Sequence, residues 1–295
     1  MKVLISGNQG FLGTQIEKKY TLLGHQVYGF DILDGTDARD FFRTNNTYFD
    51  LVYNMAGVIG GRRGIEGNPL SIAVDLSIDS EYYQWIERMH PVHAIYMSSS
   101  AAYPTRYQTH EFVRSGVDSK LHEDDIDLTD VENPDHTYGW SKLTGEYLAQ
   151  FVTKTKMHIF RPFSGYGETQ ALDYPFPSFI QRGKQKADPF EVWGDGNQVR
   201  DFIHIDDIVD AMDEAIKQDV RGPINLGNAR ATSFNDLAGM VMKQTRYSAP
   251  IKHLTTEPVG VSYRVCDNTK LLSFYTPRIS LEEGIQRALK YDYRR

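Results

Sequence analysis

Tyr138 and Lys142 stand four residues apart in Tyr138-Gly139-Trp140-Ser141-Lys142. On a helix that spacing puts both side chains on one face. An ammonium beside a phenol favours the phenolate and lowers its pKa from roughly 10 toward neutrality, which makes the tyrosine a usable general base. The chemistry on offer is removal of a proton from a hydroxyl, with a neighbouring serine hydroxyl to hold the oxygen concerned. The segment Ser98-Ser99-Ser100-Ala101-Ala102-Tyr103-Pro104 supplies such serines at the end of an apolar strand-like run, Ala94 to Ser98.

The elements that position these groups begin at the N-terminus. Lys2-Val3-Leu4-Ile5-Ser6-Gly7-Asn8-Gln9-Gly10-Phe11-Leu12-Gly13 is an apolar run that breaks into three glycines and resumes at helical spacing. It predicts a strand, a tight turn and a helix N-terminus, where backbone N–H groups and the helix dipole favour a phosphate. Ile16, Tyr20 and Leu23 continue an apolar face to Gly24, and Gln26 to Phe30 reads as a second strand ending in Asp31. A carboxylate about 20 residues past the glycines accepts both ribose hydroxyls of a dinucleotide and repels a 2′-phosphate. No Arg or Lys occupies positions 32 to 34, so NAD is expected rather than NADP.

A short helix through Phe41 and Phe42 follows, then a third strand at Asp50 to Ala56, a glycine-rich loop at Gly57 to Gly67, and a long amphipathic helix from about Pro69 to Met89. Beyond an Asp- and Glu-rich loop, Glu111 to Asp135, the helix carrying Tyr138 and Lys142 is expected to run through Phe151. Strands alternating with helices predict an α/β fold with a Rossmann-type doubly wound parallel sheet, its ligands at the C-terminal ends of the strands.

Composition bounds the possibilities. The 295 residues, 40% hydrophobic and 24% charged, suit one large or two modest domains with a sizeable core. The single cysteine, Cys266, excludes an intramolecular disulfide and a cysteine zinc cage and reads as a small buried hydrophobe in a reducing compartment. With no leader-like segment and no bilayer-length apolar run, a cytoplasmic protein without membrane contact is expected. A net charge of −7 argues against a nucleic-acid surface. His204 with Asp206 and Asp207 is read as a helix start capped by Asp, not a metal site, and Tyr174, Phe176 and Phe179 as core or pocket wall. No metal is expected.

Taken together, Gly7-x-x-Gly10-x-x-Gly13, Asp31, Ser99 upstream of Tyr103, and Tyr138-x-x-x-Lys142 resemble the extended short-chain dehydrogenase/reductase family of NAD-dependent nucleotide-sugar epimerases and dehydratases. The resemblance continues through Phe190 to Gly196, Arg200 to Asp207 and Pro223 to Gly227. It implies a catalytic set of Ser99, Tyr138 and Lys142: Tyr138 as base, Lys142 on the nicotinamide ribose, Ser99 on the sugar hydroxyl being oxidised. It places the cofactor on Gly7, Gln9, Gly10, Phe11, Leu12, Gly13, Asp31, Asp37, Ala56, Tyr138, Lys142 and Pro162. The nucleotide-diphosphate sugar falls to Ser99, Ser100, Ser164, Arg200 and Arg264, with the two arginines gripping the diphosphate.

The resemblance also implies a smaller α/β C-terminal substrate domain, residues 165–201 plus 229–295, beside an NAD-binding domain of 1–164 plus 202–228. It suggests a homodimer built on the helices beginning near Pro69 and Tyr138.

Departures from the family pattern choose among reactions. The Asp-Glu pair of 4,6-dehydratases is replaced by Ser100 and Ala101, which disfavours elimination and decarboxylation alike. Through Val58-Ile59-Gly60-Gly61, Tyr103-Pro104 and Gly260-Val261-x-x-Arg264 the chain looks most similar to the GDP-mannose 3,5-epimerase and GDP-fucose synthase branch. That branch's acid-base cysteine is Ala101 here, and the partner lysine of the 3,5-epimerases aligns with Arg182. Neither side chain shuttles protons. The expectation is epimerisation at C4 through a transient keto-sugar. The alternatives are a nucleotide-sugar ketoreductase or dehydratase of the same family, and a non-catalytic NAD-binding sensor or scaffold. Ser164 and Asp75 stand where asparagine is usual in the family, which leaves the sugar and the base open.

Overall fold

A computed structural model of the chain describes residues 1–58, 60–115 and 119–292, so Ile59 of the branch motif and residues 116–118 of the acidic loop lie outside the described residues. The first half alternates strand and helix: β1 (Lys2–Ser6), α1 (Phe11–Leu22), β2 (Gln26–Phe30), α2 (Ala38–Thr44), β3 (Leu51–Asn54), α3 (Arg62–Gly67), α4 (Ile72–Met89), β4 (His93–Met97), α5 (His110–Arg114), α6 (His136–Ala149) and β5 (Lys156–Pro162). The second half is built from β6 (Ser164–Tyr166), α7 (Pro175–Lys184), β7 (Phe190–Trp193), β8 (Val199–Arg200), β9 (Phe202–His204), α8 (Ile205–Lys217), β10 (Pro223–Leu226), β11 (Thr232–Ser233), α9 (Phe234–Gln244), β12 (Ile251–Leu254), β13 (Tyr263–Arg264), α10 (Thr269–Leu272) and α11 (Leu281–Lys290).

Six parallel strands form the main sheet in the order β10-β5-β4-β3-β1-β2, the doubly wound Rossmann-type arrangement. Side chains alternate across each strand, so the sheet feeds two cores. Val3, Ile5, Tyr53 and Ile95 pack on one face with Ile16 and Tyr20 of α1 and Ile208 and Met212 of α8. Leu4, Val52, Ala94 and Tyr96 pack on the other with Phe42 of α2 and Tyr82, Trp85 and Ile86 of α4. A third core joins Phe176 and Phe179 of α7 to Phe190, Phe202, Phe234 and Ile285. Small ribbons, β11-β8-β13, β12-β7 and β6-β9, lie outside the main sheet. No helix among the described residues is long and apolar enough to cross a membrane.

Four local expectations change. The glycine-rich stretch Gly57 to Gly67 ends in the short helix α3, although two of its six residues are glycine. Tertiary bonds override the poor propensity: Gly61 N–H donates to Asp173 Oδ2 at 3.0 Å, Arg62 pairs with Asp135, and Arg63 lies 4.8 Å over the Trp193 ring. The acidic loop likewise contains α5, started by Thr109, whose hydroxyl accepts Phe112 N–H at 3.1 Å. Helix α6 stops at Ala149, because Gln150 and Phe151 bond three residues back instead of four. The start of α8 is capped by His204 Nδ1, which accepts Asp206 N–H at 3.2 Å, not by an aspartate. Asp207 instead accepts the N–H groups of Arg278 and Ile279 and anchors the C-terminal segment.

Candidate active site

The glycine turn leaves β1 with Gly7 at φ +67°, and a Cβ there would lie 2.7 Å from Ala56 N. A Cβ on Gly13 would lie 2.1 Å from Gly7 O, so only glycine lets α1 pack against the turn. Gly10 is the N-cap of α1 and gives it no side-chain cap. Among the described residues the N–H groups of Phe11, Leu12 and Gly13 meet no protein acceptor, which is the donor set a pyrophosphate requires. Asp31 closes the turn at the end of β2, nine-tenths buried, with Gln9 N–H on one carboxylate oxygen (3.1 Å) and Leu33 N–H on the other (3.0 Å). Each oxygen keeps a lone pair for a ribose hydroxyl. The residues present therefore fit an adenine dinucleotide.

Asp37 caps α2 further along, its carboxylate held by Arg39 at 2.5 Å. Arg39 is a cation that positions 32 to 34 gave no hint of, but Asp37 neutralises it. Pro162 ends β5, and Ala56 lies two residues past the end of β3, which stops at Asn54, with its N–H bonded to Ser6 Oγ at 3.3 Å.

Ser99 follows β4. Its hydroxyl accepts Ala101 N–H at 3.1 Å, which turns the chain into the buried residues Ser100 and Ala101 and leaves the hydroxyl proton to be donated elsewhere. The N-terminus of α6 docks onto this turn: Asp135 N–H donates to Ala101 O at 2.9 Å, and a Cβ on Gly139 would lie 2.3 Å from the same oxygen. Glycine beside Tyr138 is what lets the start of α6 pack against the turn that follows Ser99.

Lys142 Nζ lies 5.5 Å from the ring centroids of both Tyr138 and Tyr96. Two carboxylates one turn apart on α4 face it. Burial works against the ammonium, but Tyr138, Asp79 and Asp75 outweigh it, and the Lys142 pKa sits above its ordinary value. Burial pushes Asp79 up to about 6 against the pull of Lys142 and the Tyr96 hydroxyl. Asp79 accepts from Tyr96 at 3.0 Å and from Asn54 at 3.3 Å, and Asn54 accepts Ser6 Oγ–H at 2.7 Å. A buried chain thus runs from the glycine turn to Lys142. Asp75, the departure from asparagine, accepts Val58 N–H at 2.6 Å, and burial raises its pKa.

Arg200 and Arg264 are register partners across β8 and β13. Burial, followed by the charge of Arg264, holds Arg200 well below the usual guanidinium range. Ser164 begins β6, its N–H on Asp201 O at 2.9 Å, and Cys266 is buried with Sγ 3.0 Å from Asp201 Oδ2. Arg182 covers the Phe179 ring at 5.5 Å.

A model of the NAD-dependent epimerase/dehydratase family matches residues 3–227. The chain belongs to this family, and its cofactor is NAD. GDP-mannose 3,5-epimerase 1 of Oryza sativa subsp. indica is 26% identical over 97% of this chain and 80% of its own length. GDP-L-colitose synthase of Yersinia pseudotuberculosis is 22% identical over 99% and 97%. The solved UDP-glucuronic acid 4-epimerase of Bacillus cereus, in complex with UDP-glucuronic acid and NAD, superposes with a TM-score of 0.79 at 24% identity over 99% and 98% of the two chains.

Three groups in the site escaped the sequence. Arg62 and Asp135 lie in what read as loops, and Asp79 read as part of an amphipathic face. One further cluster, His93, His158 and Asp219, gathers near the N-terminal ends of β4 and β5, away from this site, where Lys156 and Arg221 already neutralise Asp219.

Proposed function

We propose that this member of the family is a nucleotide-sugar 4-epimerase. The observation that supports the reading is Lys142 5.5 Å from the Tyr138 ring on a helix docked onto the turn after Ser99, at a buried Ser100-Ala101 step that offers no titratable side chain. Oxidation at one carbon is provided for. The Ser100-Ala101 step supplies no second acid-base pair for elimination or for chemistry at C3 and C5.

When bound, NAD supplies the acceptor and donor of the hydride. Tyr138 takes the proton from the C4 hydroxyl while Ser99 donates a hydrogen bond to the same oxygen. Lys142, kept cationic by Asp75 and Asp79, holds the nicotinamide ribose. The N–H groups of Phe11, Leu12 and Gly13 take the pyrophosphate, with Gln9 and Gly10 shaping the turn beside it, and Asp31 takes the adenosine ribose, with Asp37 on the adenine side. Arg200 and Arg264 grip the substrate diphosphate, remote from the reacting carbon, and so retain the keto-sugar while its ring turns to present the other face. Ser100 and Ser164 line the sugar. In this assignment residues 1–164 plus 202–228 bind NAD, and 165–201 plus 229–295 bind the nucleotide sugar.

Purified protein, denatured and chromatographed, is expected to release near-stoichiometric NAD. The native protein is expected to interconvert C4 epimers of one member of a UDP-, GDP-, dTDP-, CDP- and ADP-sugar panel with no added nicotinamide cofactor. Turnover that appears only with added reduced cofactor would establish a ketoreductase instead.

The same reading assigns a homodimer. Trp140, Tyr147, Leu148 and Phe151 on and just beyond α6, and Leu76 on the neighbouring α4, are 37 to 62% exposed, an apolar surface suited to a second copy. Light scattering should give twice the chain mass for the native protein and the monomer mass for Phe151→Glu. A monomeric native protein ends the assignment.

A further inference from the structure

We propose that Arg62, held in place by Asp135, is a third arm of the diphosphate clamp; the inference rests on the nucleotide-sugar reading above. Three guanidiniums converge from three separate segments, α3, β8 and β13. Asp135 divides its carboxylate between two of them, with Oδ1 2.7 Å from Arg62 Nη1 and Oδ2 2.7 Å from Arg264 Nη2. The third is drawn in through one turn: Val259 O accepts from Arg200 Nη2 at 3.0 Å, and a Cβ on the next residue, Gly260, would lie 3.2 Å from Arg62 Cζ.

The charges do not balance at the centre of this cluster. Among the described residues Arg200 donates only to the backbone oxygens of Val199 and Val259, and Glu66 reaches Arg62 from its exposed side, at Nε. Asp135 is 7% exposed and is the one carboxylate among the described residues bonded to Arg264. Arg62 Nη2 and Arg264 Nη1 meet no acceptor among the described residues.

A guanidinium receives a phosphate or carboxylate through two parallel N–H donors, whereas Asp135 takes only one Nη from each of Arg62 and Arg264. Asp135 therefore orients the two forks without filling them. A nucleoside diphosphate brings at least two negative charges to three cations that hold two carboxylates between them, Asp135 at the centre and Glu66 on the exposed side of Arg62. In this assignment Arg200 and Arg264 meet the phosphate that a monophosphate also carries, and Arg62 meets the second. Arg62 thus selects for the second phosphate.

The test uses the full chain with its NAD and measures dissociation constants calorimetrically for UDP, GDP, dTDP, CDP and ADP, and for the monophosphate of whichever base binds. Arg62→Gln is expected to weaken the diphosphate roughly 10-fold or more, the range of a charged hydrogen bond, and the monophosphate less than about 3-fold. Arg62→Lys keeps the charge and loses the fork, so it should weaken the diphosphate selectively but less, and it carries the test if Arg62→Gln does not fold. Arg43→Gln, an exposed arginine on α2 paired with Glu81, controls for net charge and should change neither constant. Arg62 variants that keep the wild-type ratio of diphosphate to monophosphate affinity, or lose both equally, overturn the inference and leave the nucleotide-sugar reading standing. A native protein that binds none of the five diphosphates overturns both.

Discussion

Tyr138→Phe is expected to lower turnover by about 10²- to 10⁴-fold, the usual contribution of a positioned general base, while NAD content and nucleotide-sugar affinity stay within about 2-fold of the native protein. The substitution removes one oxygen and keeps the ring that Lys142 faces at 5.5 Å, so the packing of α6 on the Ser99 turn is preserved. In the proposed assignment nucleotide-sugar binding rests on the arginines and NAD binding mainly on the glycine turn, neither of which is bonded to that oxygen among the described residues. The measurement pairs kcat with NAD released on denaturation. A variant that turns over at the native rate refutes Tyr138 as the base, and one that has also lost its NAD shows that the hydroxyl was structural.

The parts of this site that were legible in the sequence share a local signature. Gly7, Gly10 and Gly13 follow an apolar strand run directly, Asp31 ends the next such run, and Tyr138 and Lys142 obey helical spacing, so each is defined by neighbours within one turn or one strand. The parts that stayed hidden are defined across the chain. Asp135 gains its meaning from Arg62, 73 residues before it, and from Arg264, 129 after. Helix α3 exists against its own propensity because those partners hold it. Asp79 falls within the helix read only as amphipathic, and gains its role from Lys142, Tyr96 and Asn54. Boundaries failed for a related reason: α6 tightens at Gln150 and Phe151, where the apolar pattern that suggested continuation marks an exposed surface.

One hidden pair was within reach of spacing. Glu146 follows Lys142 by four residues, as Lys142 follows Tyr138, so the three step along one face of α6. The Glu146 carboxylate is fully buried and bonded on both oxygens by Arg161 of β5, Nε to Oε1 at 2.9 Å and Nη2 to Oε2 at 2.7 Å. Arg161 Nη1 donates to the Tyr103 hydroxyl at 3.0 Å and to Glu123 O at 2.7 Å, and Ser98 Oγ–H donates to Glu146 Oε1. The pair therefore fastens both ends of the Ser99 turn, Ser98 and Tyr103, to the helix that carries Tyr138.

Arg161→Met is accordingly expected to destabilise the fold by about 3–5 kcal/mol, because it leaves the Glu146 charge buried and the Tyr103 hydroxyl and Glu123 carbonyl short of a donor. Glu146→Leu should cost a similar amount by stranding the guanidinium. Combining the two removes both charges, and urea denaturation should then recover most of the loss, since a buried ion pair replaced by apolar side chains of similar volume is often neutral. Turnover should not recover with it. Ser98 Oγ regains no partner in the double variant and the Tyr103 hydroxyl keeps only Asn225, so Ser99 is held less firmly and kcat should remain below native at a temperature where the protein is fully folded. Two single losses that simply add in the double variant would show that the charges act independently. Native turnover in a stable double variant would show that the Ser99 turn is held by its own backbone alone.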